Sequence, residues 1–253
     1  MELLPKILIA CPTSETKDYC FFDWISNVKN IDYPKDRMEI LVVDNSSTNS
    51  YKKYLETWGI KVHHVKPHFE EANPKNKKKV IRNKPMVQTV CESENIIRKY
   101  AYENNFDYIL MLESDIMIGQ QTLRTLVAHK KQVISAAYFH GNDKQTNLLI
   151  TQIEKFPLIK TTIRLGFKAT MKFMDGKVKQ VQSCGIGCCL IHRSVFKKVP
   201  FRYVDSNGAI DKTMFPDSYF YEDLYRMETP AFIDTSIILE HNSQEWAQNI
   251  NLQ

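Results

Sequence analysis

The sequence predicts an α/β fold in which helices cover a mostly parallel β-sheet. In the first half, short apolar runs alternate with segments whose apolar residues recur at helical spacing, and the connections between them are short. That alternation is typical of parallel βαβ units, whose sheets are covered on both faces. The chain of 253 residues is also long enough to bury a sizeable core, as one large domain or two small ones.

The elements of the first half follow from local pattern. Residues 6–13 (KILIACPT) form an apolar run that ends in Pro and Thr, which indicates a buried strand, and 19–30 carries apolar residues at helical spacing. Residues 38–48 are β-branched and then enter an Asp-Asn-Ser-Ser turn, which is typical of a strand end. The same criteria predict helices at 49–59 (stopped by Gly59), 90–105 and 120–130, and strands at 61–66, 107–114 and 132–139.

The second half changes character. Residues 167–185 predict a β-hairpin that turns at Asp175-Gly176. The polar, Gly- and Pro-containing stretch 202–220 predicts a loop. The remaining predictions are a strand leading into a short helix over 187–201, a brief helix from Tyr221, and a final strand at 231–241.

Composition favours a soluble intracellular, cytoplasmic protein. The N-terminus has no basic segment followed by a long apolar stretch, and no apolar run approaches the roughly 18 residues that a membrane span needs. The six cysteines lack paired C-x-x-C spacing, so we expect free, mostly buried thiols rather than structural zinc or disulfides. A net charge of +5 neither requires nor excludes a polyanionic partner.

The apolar run YILMLESDIMIG at 108–119 raises a functional question, because Glu113 and Asp115 interrupt it. Alternate residues of a strand point the same way, about 7 Å apart, so both carboxylates can face one ligand. Oxygen ligands suit Mg²⁺ or Mn²⁺, and ligands of α/β sheets bind outside the carboxyl ends of the strands. The alternative is that the strand ends at Leu112 and both acids are simply solvated.

Six motifs, in this order, resemble those of nucleotide-sugar-dependent glycosyltransferases of the GT-A fold, particularly family 2. They span about residues 5–242: KILIACPT, ILVVDNSST, DYILMLESDI, GIGCCLIHRSVFKKV, YEDL and the His of IILEH. The resemblance implies one GT-A domain with a mixed, mostly parallel sheet. It also implies a nucleotide-sugar-binding half at about 1–140 and an acceptor-binding, catalytic half at about 141–253.

The resemblance implies a donor site for a nucleoside diphosphate sugar, most plausibly a UDP-sugar. Pro12 and Thr13 would line the nucleotide pocket, and Asp44 would contact the base or ribose unless it only caps its turn. Arg98 would contact the phosphates, although a solvated helix face explains it equally well. Glu113 and Ser114 complete the predicted donor-binding set.

The resemblance also implies a divalent cation, Mn²⁺ or Mg²⁺. Asp115 and Glu113 occupy the family's DxD position, with the departure that Glu replaces the first Asp, and His241 would be a third ligand. A buried structural histidine is the alternative for His241.

Transfer with inversion requires a base for the acceptor hydroxyl. YEDL supplies Asp223 as the predicted base, with Glu222 assisting; acids placed near a helix N-terminus for charge alone are the alternative.

Two segments bear on the acceptor, which we expect to be a glycan or another hydroxyl compound. CGIGCC (184–189) matches a small-residue strand near the acceptor sugar, where glycine permits close approach, and its cysteines are better explained as packed thiols. Residues 75–84 contain six Lys or Arg in ten residues, which indicates a solvated loop or a contact with an anionic acceptor such as nucleic acid. The rival functions are a nucleotidyltransferase and a non-catalytic carbohydrate- or nucleic-acid-binding module.

Overall fold

The architecture is taken from a computed structural model of the chain. The described residues are 4–68, 84–140, 147–148, 150–151, 167–205, 207–209 and 215–242. Within them, no helix is long and apolar enough to cross a membrane.

The first half consists of successive βα units. Most of the strands are β-branched or apolar runs, and the helices bury apolar residues; in the first helix, for example, Phe21, Trp24 and Val28 are buried at helical spacing. The elements are β1 (Ile7–Thr13), α1 (Asp18–Lys29), β2 (Met38–Asp44), α2 (Ser50–Glu56), β3 (Lys61–His64), α3 (Lys84–Glu103) and β4 (Tyr108–Leu112). Short 3₁₀ turns at Glu15–Lys17 and Lys35–Arg37 precede α1 and β2 respectively.

The rest of the chain adds strands of two to eleven residues, most of which join the same sheet. Its elements up to the predicted hairpin are β5 (Ile116–Met117), α4 (Thr122–Ala128), β6 (Val133–His140), β7 (Asn147–Leu148), β8 (Ile150–Thr151) and α5 (Phe167–Phe173). Those that follow are β9 (Val178–Val181), β10 (Ser183–Cys184), β11 (Cys188–His192), α6 (Arg193–Phe196), α7 (Pro216–Arg226) and β12 (Ala231–His241).

Strands from both parts of the chain share one ten-stranded sheet. Eight of them follow the order β3-β2-β1-β4-β11-β6-β12-β5, β7 and β9 pair with β6 and β12 respectively, and β8 and β10 form a separate two-stranded sheet. The first four in that order are mutually parallel, β11 runs antiparallel between β4 and β6, and β12 is parallel to β6. The carboxyl ends of β1, β2, β4, β6 and β12 therefore meet at one edge, where ligands of such sheets bind. The predicted mixed, mostly parallel sheet is confirmed.

The hairpin predicted at 167–185 is wrong. Residues 167–173 form α5, and β9 pairs with β12 instead of a preceding strand. Apolar residues alternate in this segment, but among the residues of α5 whose burial is described, Thr170 and Phe173 are the buried ones, three apart as in a helix. The turn and the strand after it were predicted correctly, with Gly176 at φ +79° and β9 at Val178–Val181.

Two helices begin earlier than predicted. α3 starts at Lys84 instead of 90, and α7 starts at Pro216 inside the predicted loop 202–220. The N–H groups in the first turn of a helix have no acceptor within the helix, so proline, which lacks an N–H, loses no hydrogen bond there. Pro216 therefore marks the start of a helix and does not interrupt one.

The core lies on both faces of the sheet. On one face α1 contributes Phe21 and Trp24, and on the other α3, α6 and α7 contribute Ile97, Phe196 and Phe220. All six cysteines are buried and free, as predicted. Burial raises the pKa of Cys188 to about 12, so this thiol stays protonated and inert at neutral pH.

Candidate active site

The acidic stretch after β4 forms a turn that is held by backbone hydrogen bonds. The Glu113 amide donates to the carbonyl of Gly187 (2.8 Å), and the Asn242 amide donates to the carbonyl of Asp115 (2.7 Å). The short β5 then pairs antiparallel with the end of β12, placing Ile116 opposite His241. The fold thus brings His241 to the acidic turn from far along the chain.

Glu113, Asp115 and His241 each offer one ligand atom, and these three atoms lie within 4.8 Å of one another. His241 Nε2 is 3.4 Å from Asp115 Oδ2. The other carboxylate oxygen, Asp115 Oδ1, is buried and accepts no hydrogen bond from the described residues. Because a buried carboxylate oxygen without a partner is costly, this atom fits a bound cation. Two carboxylates and an imidazole are a suitable set of ligands for Mn²⁺.

Lys17, which no motif pointed to, contacts the same carboxylate. It lies at the end of the 3₁₀ turn after β1, and its Nζ pairs with Asp115 Oδ2. The side chain of Lys17 is 39% exposed, whereas that of Asp115 is 3% exposed. The ammonium of a partly exposed side chain thus reaches into the cluster from the solvent side and neutralises part of its charge.

The pKa values of Glu113 and Asp115 are shifted in opposite directions. Burial opposes ionisation of Asp115, but hydrogen bonds and charge from His241 and Lys17 outweigh it and lower the pKa of Asp115. Glu113 is not buried, yet surrounding protein atoms displace its water; this desolvation, followed by the charge of Asp115, raises the pKa of Glu113 to about 7. Although partial burial acts against it, the hydrogen bond to Asp115 raises the pKa of His241.

The nucleotide-pocket residues predicted after β1 and β2 are grouped at this edge. Thr13 Oγ1 lies 3.1 Å from Ser114 Oγ, so the end of β1 is tied to the acidic turn, with Pro12 partly buried beside it. Asp44 is 0% exposed and already has partners. Its Oδ1 accepts from the Ser46 amide (3.0 Å) and hydroxyl (2.6 Å), and its Oδ2 lies 3.1 Å from Nδ1 of a second missed residue, His64. Both carboxylate oxygens of Asp44 therefore already interact within the protein, and its predicted contact with the base or ribose stays a prediction.

The two glycines of CGIGCC make room for Tyr138. A Cβ at Gly187 would lie 2.8 Å from Tyr138 Oη and 2.5 Å from Ile116 Cδ1, and a Cβ at Gly185 would also collide with the tyrosine hydroxyl. Tyr138 Oη accepts from the Gly187 amide (3.0 Å), and its ring packs edge-on against His241 with centroids 5.8 Å apart. The glycines thus position a metal-ligand candidate through Tyr138.

The predicted catalytic pair is bound to an arginine. Both oxygens of Asp223 accept from Arg202, at 2.8 Å from Nε and 3.0 Å from Nη2. Glu222 accepts from Arg202 (2.8 Å) and from Arg226 (2.8 Å). Among the contacts of the described residues, none joins Glu222 or Asp223 to the Glu113–Asp115–His241 cluster.

The charge of Asp217, a residue that the sequence predicts to lie in a loop, acts on the cluster. Asp217 is half-buried in the first turn of α7, where the helix dipole favours a negative charge. After burial, the charge of Asp217 is the next cause that raises the pKa of Glu94; for Glu113 it adds to the effects of burial and Asp115.

Two predicted contacts remain without support among the described residues. The guanidinium of Arg98 donates to the carbonyl of Phe196 (3.0 Å) and to Asn95 Oδ1 (3.3 Å), so it connects α3 to α6. Of the basic segment 75–84, residues 75–83 lie outside the described residues, and Lys84 is the first residue of α3.

No protein-family model and no curated protein sequence matches the chain. Among solved structures it resembles the mannosyltransferase PcManGT from Pyrobaculum calidifontis in complex with GDP-Man and Mn²⁺. The TM-score is 0.58 at 12% identity, and the match covers 95% of this chain and 58% of that one. S. aureus TarS 1-349 in complex with UDP-GlcNAc matches at TM-score 0.49 and 15% identity, over 93% of this chain and 56% of that one. A197 from STIV matches at 0.47 and 14%, over 93% and 85%.

Scores below 0.5 are too low to support an inference, so of these three structures only PcManGT is informative. At this identity it establishes the fold, and the predicted GT-A-like architecture is confirmed. The chain spans a little over half the length of that mannosyltransferase.

Proposed function

We propose that the protein is a metal-dependent glycosyltransferase that moves a sugar from a nucleoside diphosphate sugar to a hydroxyl acceptor. The observation that carries the proposal is the Glu113–Asp115–His241 cluster, with its unpartnered buried oxygen, at the carboxyl edge of a GT-A-like sheet. The mannosyltransferase of similar fold was solved with GDP-Man and Mn²⁺, which supports a donor of this class.

Asp115 and His241 would hold the cation, with Glu113 as a direct ligand or a partner of a metal-bound water. When bound, the cation neutralises the charge that develops on the departing diphosphate. Because this supplies the leaving-group assistance, no strong protein nucleophile is needed. The pKa of Glu113, raised by desolvation and by Asp115, means that its proton is easily displaced near neutral pH when a cation binds.

The donor would lie across the ends of β1, β2 and β4. Thr13 and Ser114 offer hydroxyl groups there, and the Asp44–Ser46–His64 group fixes the end of β2 where the nucleoside would bind. Lys17 would turn from Asp115 to the diphosphate once a cation occupies the carboxylate, because an ammonium on a flexible stem can change partners at little cost.

For the chemical step we propose a single displacement with inversion. The acceptor oxygen attacks the anomeric carbon, the bond to the diphosphate oxygen breaks, and the acceptor proton passes to a carboxylate. Asp223 is the base expected from the motif, but both of its oxygens accept hydrogen bonds from Arg202. Asp217 lies half-buried in the first turn of α7, and its charge acts on Glu113, so we assign Asp217 the role of base. Glu222 and Asp223 are assigned the role of anchoring Arg202.

The test is release of nucleoside diphosphate from a panel of nucleotide sugars, including GDP-mannose and UDP-N-acetylglucosamine, with Mn²⁺ and with EDTA. We expect slow, Mn²⁺-dependent hydrolysis of one donor in the absence of acceptor, and its loss in Asp115→Asn. Folded wild-type protein that hydrolyses none of the panel and binds none of the nucleotides would contradict the proposal.

A further inference from the structure

A buried carboxyl group that the proposed function does not use lies beside this site. Glu94, on α3, is 4% exposed, and its Oε2 accepts or donates no hydrogen bond within the described part of the chain. A buried polar atom without a partner is rare in folded proteins, because it loses its hydration and gains nothing in exchange. An unpartnered carboxyl oxygen in the middle of a helix is a feature that a bound ligand would explain.

The fold places Glu94 level with the acidic turn. α3 leads directly into β4, so it runs antiparallel to that strand, and Glu94 lies nine residues before the helix ends at Glu103. That stretch of helix is about 14 Å long. Glu113 lies five residues after the start of β4 at Tyr108, about 17 Å along the strand. Both residues thus lie near the same height, at the carboxyl edge of the sheet.

The charges of two other acids, Asp217 and Glu113, act on Glu94. Burial, then the charge of Asp217, then that of Glu113 raise its pKa well above its usual range. Glu94 therefore lies within electrostatic reach of the proposed base on α7, which packs against α3, and also of the acidic turn on β4. In a displacement reaction the sugar lies between the diphosphate and the base.

We propose that Glu94 is a positioning residue for the transferred sugar, with its carboxyl group hydrogen-bonded to a hydroxyl group of the donor sugar. The assignment rests on the proposed function and extends it to the sugar end of the donor. A carboxyl that carries its proton has one O–H donor and acceptor oxygens, which is the complement of a sugar hydroxyl. A second metal at this position is not indicated: among the described residues, the only group with metal-ligand spacing is Glu113, Asp115 and His241.

The experiment compares Glu94→Met and Glu94→Gln with the wild type by calorimetry, with Mn²⁺ present. Each protein is titrated with GDP and GDP-mannose and with UDP and UDP-N-acetylglucosamine, and its thermal unfolding is recorded. We expect Glu94→Met to raise Tm, because it removes an unsatisfied buried polar group. We also expect it to weaken binding of the accepted nucleotide sugar about tenfold while changing that of the matching diphosphate less than twofold.

Glu94→Gln, which keeps a donor and an acceptor, should retain most of the sugar affinity. The matched control is Glu92→Met on the same helix, whose partly exposed carboxylate pairs with His68 (2.7 Å); it should change neither affinity. Two results would overturn the inference while leaving the proposed function in place. In one, Glu94→Met binds the nucleoside diphosphate and the nucleotide sugar as tightly as wild type does. In the other, its affinities for both ligands fall by the same factor. A folded wild type that binds none of the four ligands would overturn both the inference and the proposed function.

Discussion

The contact between Lys17 and Asp115 predicts opposite effects of Lys17 on metal binding and on nucleotide binding. The Nζ of Lys17 pairs with the oxygen of Asp115 that also faces His241, so a cation must compete with it for the carboxylate. We expect Lys17→Met to bind Mn²⁺ alone about tenfold more tightly, since about one charge-assisted hydrogen bond no longer opposes the metal.

The same variant should bind the nucleoside diphosphate–Mn²⁺ complex several-fold more weakly, because the ammonium is no longer available to the phosphates. Metal titration followed by nucleotide titration separates the two effects. Lys53→Met, on the exposed face of α2, is the control and should change neither affinity. A Lys17→Met protein whose two affinities both equal the wild-type values would show that the contact is incidental.

For single residues, the sequence predicted the site groups that lie at the ends of strands. It missed those whose role depends on contact with a residue far away in the sequence. Glu113 and Asp115 interrupt an apolar run, so they are visible in the sequence. Lys17 meets Asp115 across a separation of 98 residues, and nothing in TSETK distinguishes it from a surface lysine. His64 is similar: its partner Asp44 became apparent only when β2 and β3 were paired in register.

The helix α7 carries two candidate bases, and its geometry separates them. Asp223 is held at both oxygens by Arg202, whereas Asp217 occupies the first turn. We expect Asp217→Asn to reduce kcat by about 10²- to 10⁴-fold, the usual contribution of a general base, and to leave donor affinity unchanged.

Asp223→Asn should lower Tm because it breaks the ion pair with Arg202, and it should keep kcat within a few-fold of wild type. Rate measurements at saturating donor, with Tm recorded for each variant, decide between them. The reverse pattern, with kcat lost only in Asp223→Asn, would return the base role to the residue predicted from YEDL.

The turn between β10 and β11 is a second element with a definite consequence. Gly187 leaves space for Tyr138, and Tyr138 packs against His241. We expect Gly187→Ala to lower the free energy of unfolding by about 1–3 kcal/mol, the usual cost of overpacking, and to weaken Mn²⁺ binding by displacing His241 through Tyr138.

Denaturant unfolding and a metal titration measure the two effects of Gly187→Ala. Gly119→Ala is the control, because its added Cβ would meet only Thr122 Oγ1 at 3.4 Å. Full metal affinity in a destabilised Gly187→Ala protein would show that Tyr138 does not position the histidine.

Over the whole molecule, the spacing of hydrophobic residues was enough to predict the βα units. It did not predict how the later strands pair with the strands of those units. The strand β11 lies antiparallel between β4 and β6, a placement that depends on pairing between residues about 80 positions apart and leaves no local signal. α5 illustrates the same limit, since its alternating pattern favoured a strand until packing selected Thr170 and Phe173 as the buried positions.

The long strand β12 connects the sheet to the site, and Asp234 holds it at an irregularity in its pairing with β6. Burial opposes its charge, but hydrogen bonds from Ser236 and the contact of His129 Nε2 (2.8 Å) outweigh burial and lower the pKa of Asp234. Because the pKa of Asp234 is lower in the folded state, its charge stabilises the fold at pH values above the unfolded-state pKa of about 3.9. This contribution is lost as the pH falls through the folded-state pKa.

We therefore expect Asp234→Asn to be less stable than wild type by about 1–3 kcal/mol at pH 7, with the difference shrinking below about pH 4. Urea unfolding at several pH values measures it, and the exposed Asp36→Asn serves as the control. A difference that is constant from pH 7 to pH 3 would show that the charge of Asp234 contributes nothing.

The central claim is that this edge of the sheet binds a nucleoside diphosphate through a divalent cation. The most direct measurement is calorimetric titration of UDP, GDP, CDP and dTDP, each with Mn²⁺ and with EDTA, into wild type and Asp115→Asn. The account predicts that at least one nucleotide binds the wild type only with Mn²⁺ and binds Asp115→Asn at least tenfold more weakly. Equal binding in EDTA, equal binding by Asp115→Asn, or no binding to the folded protein would contradict it.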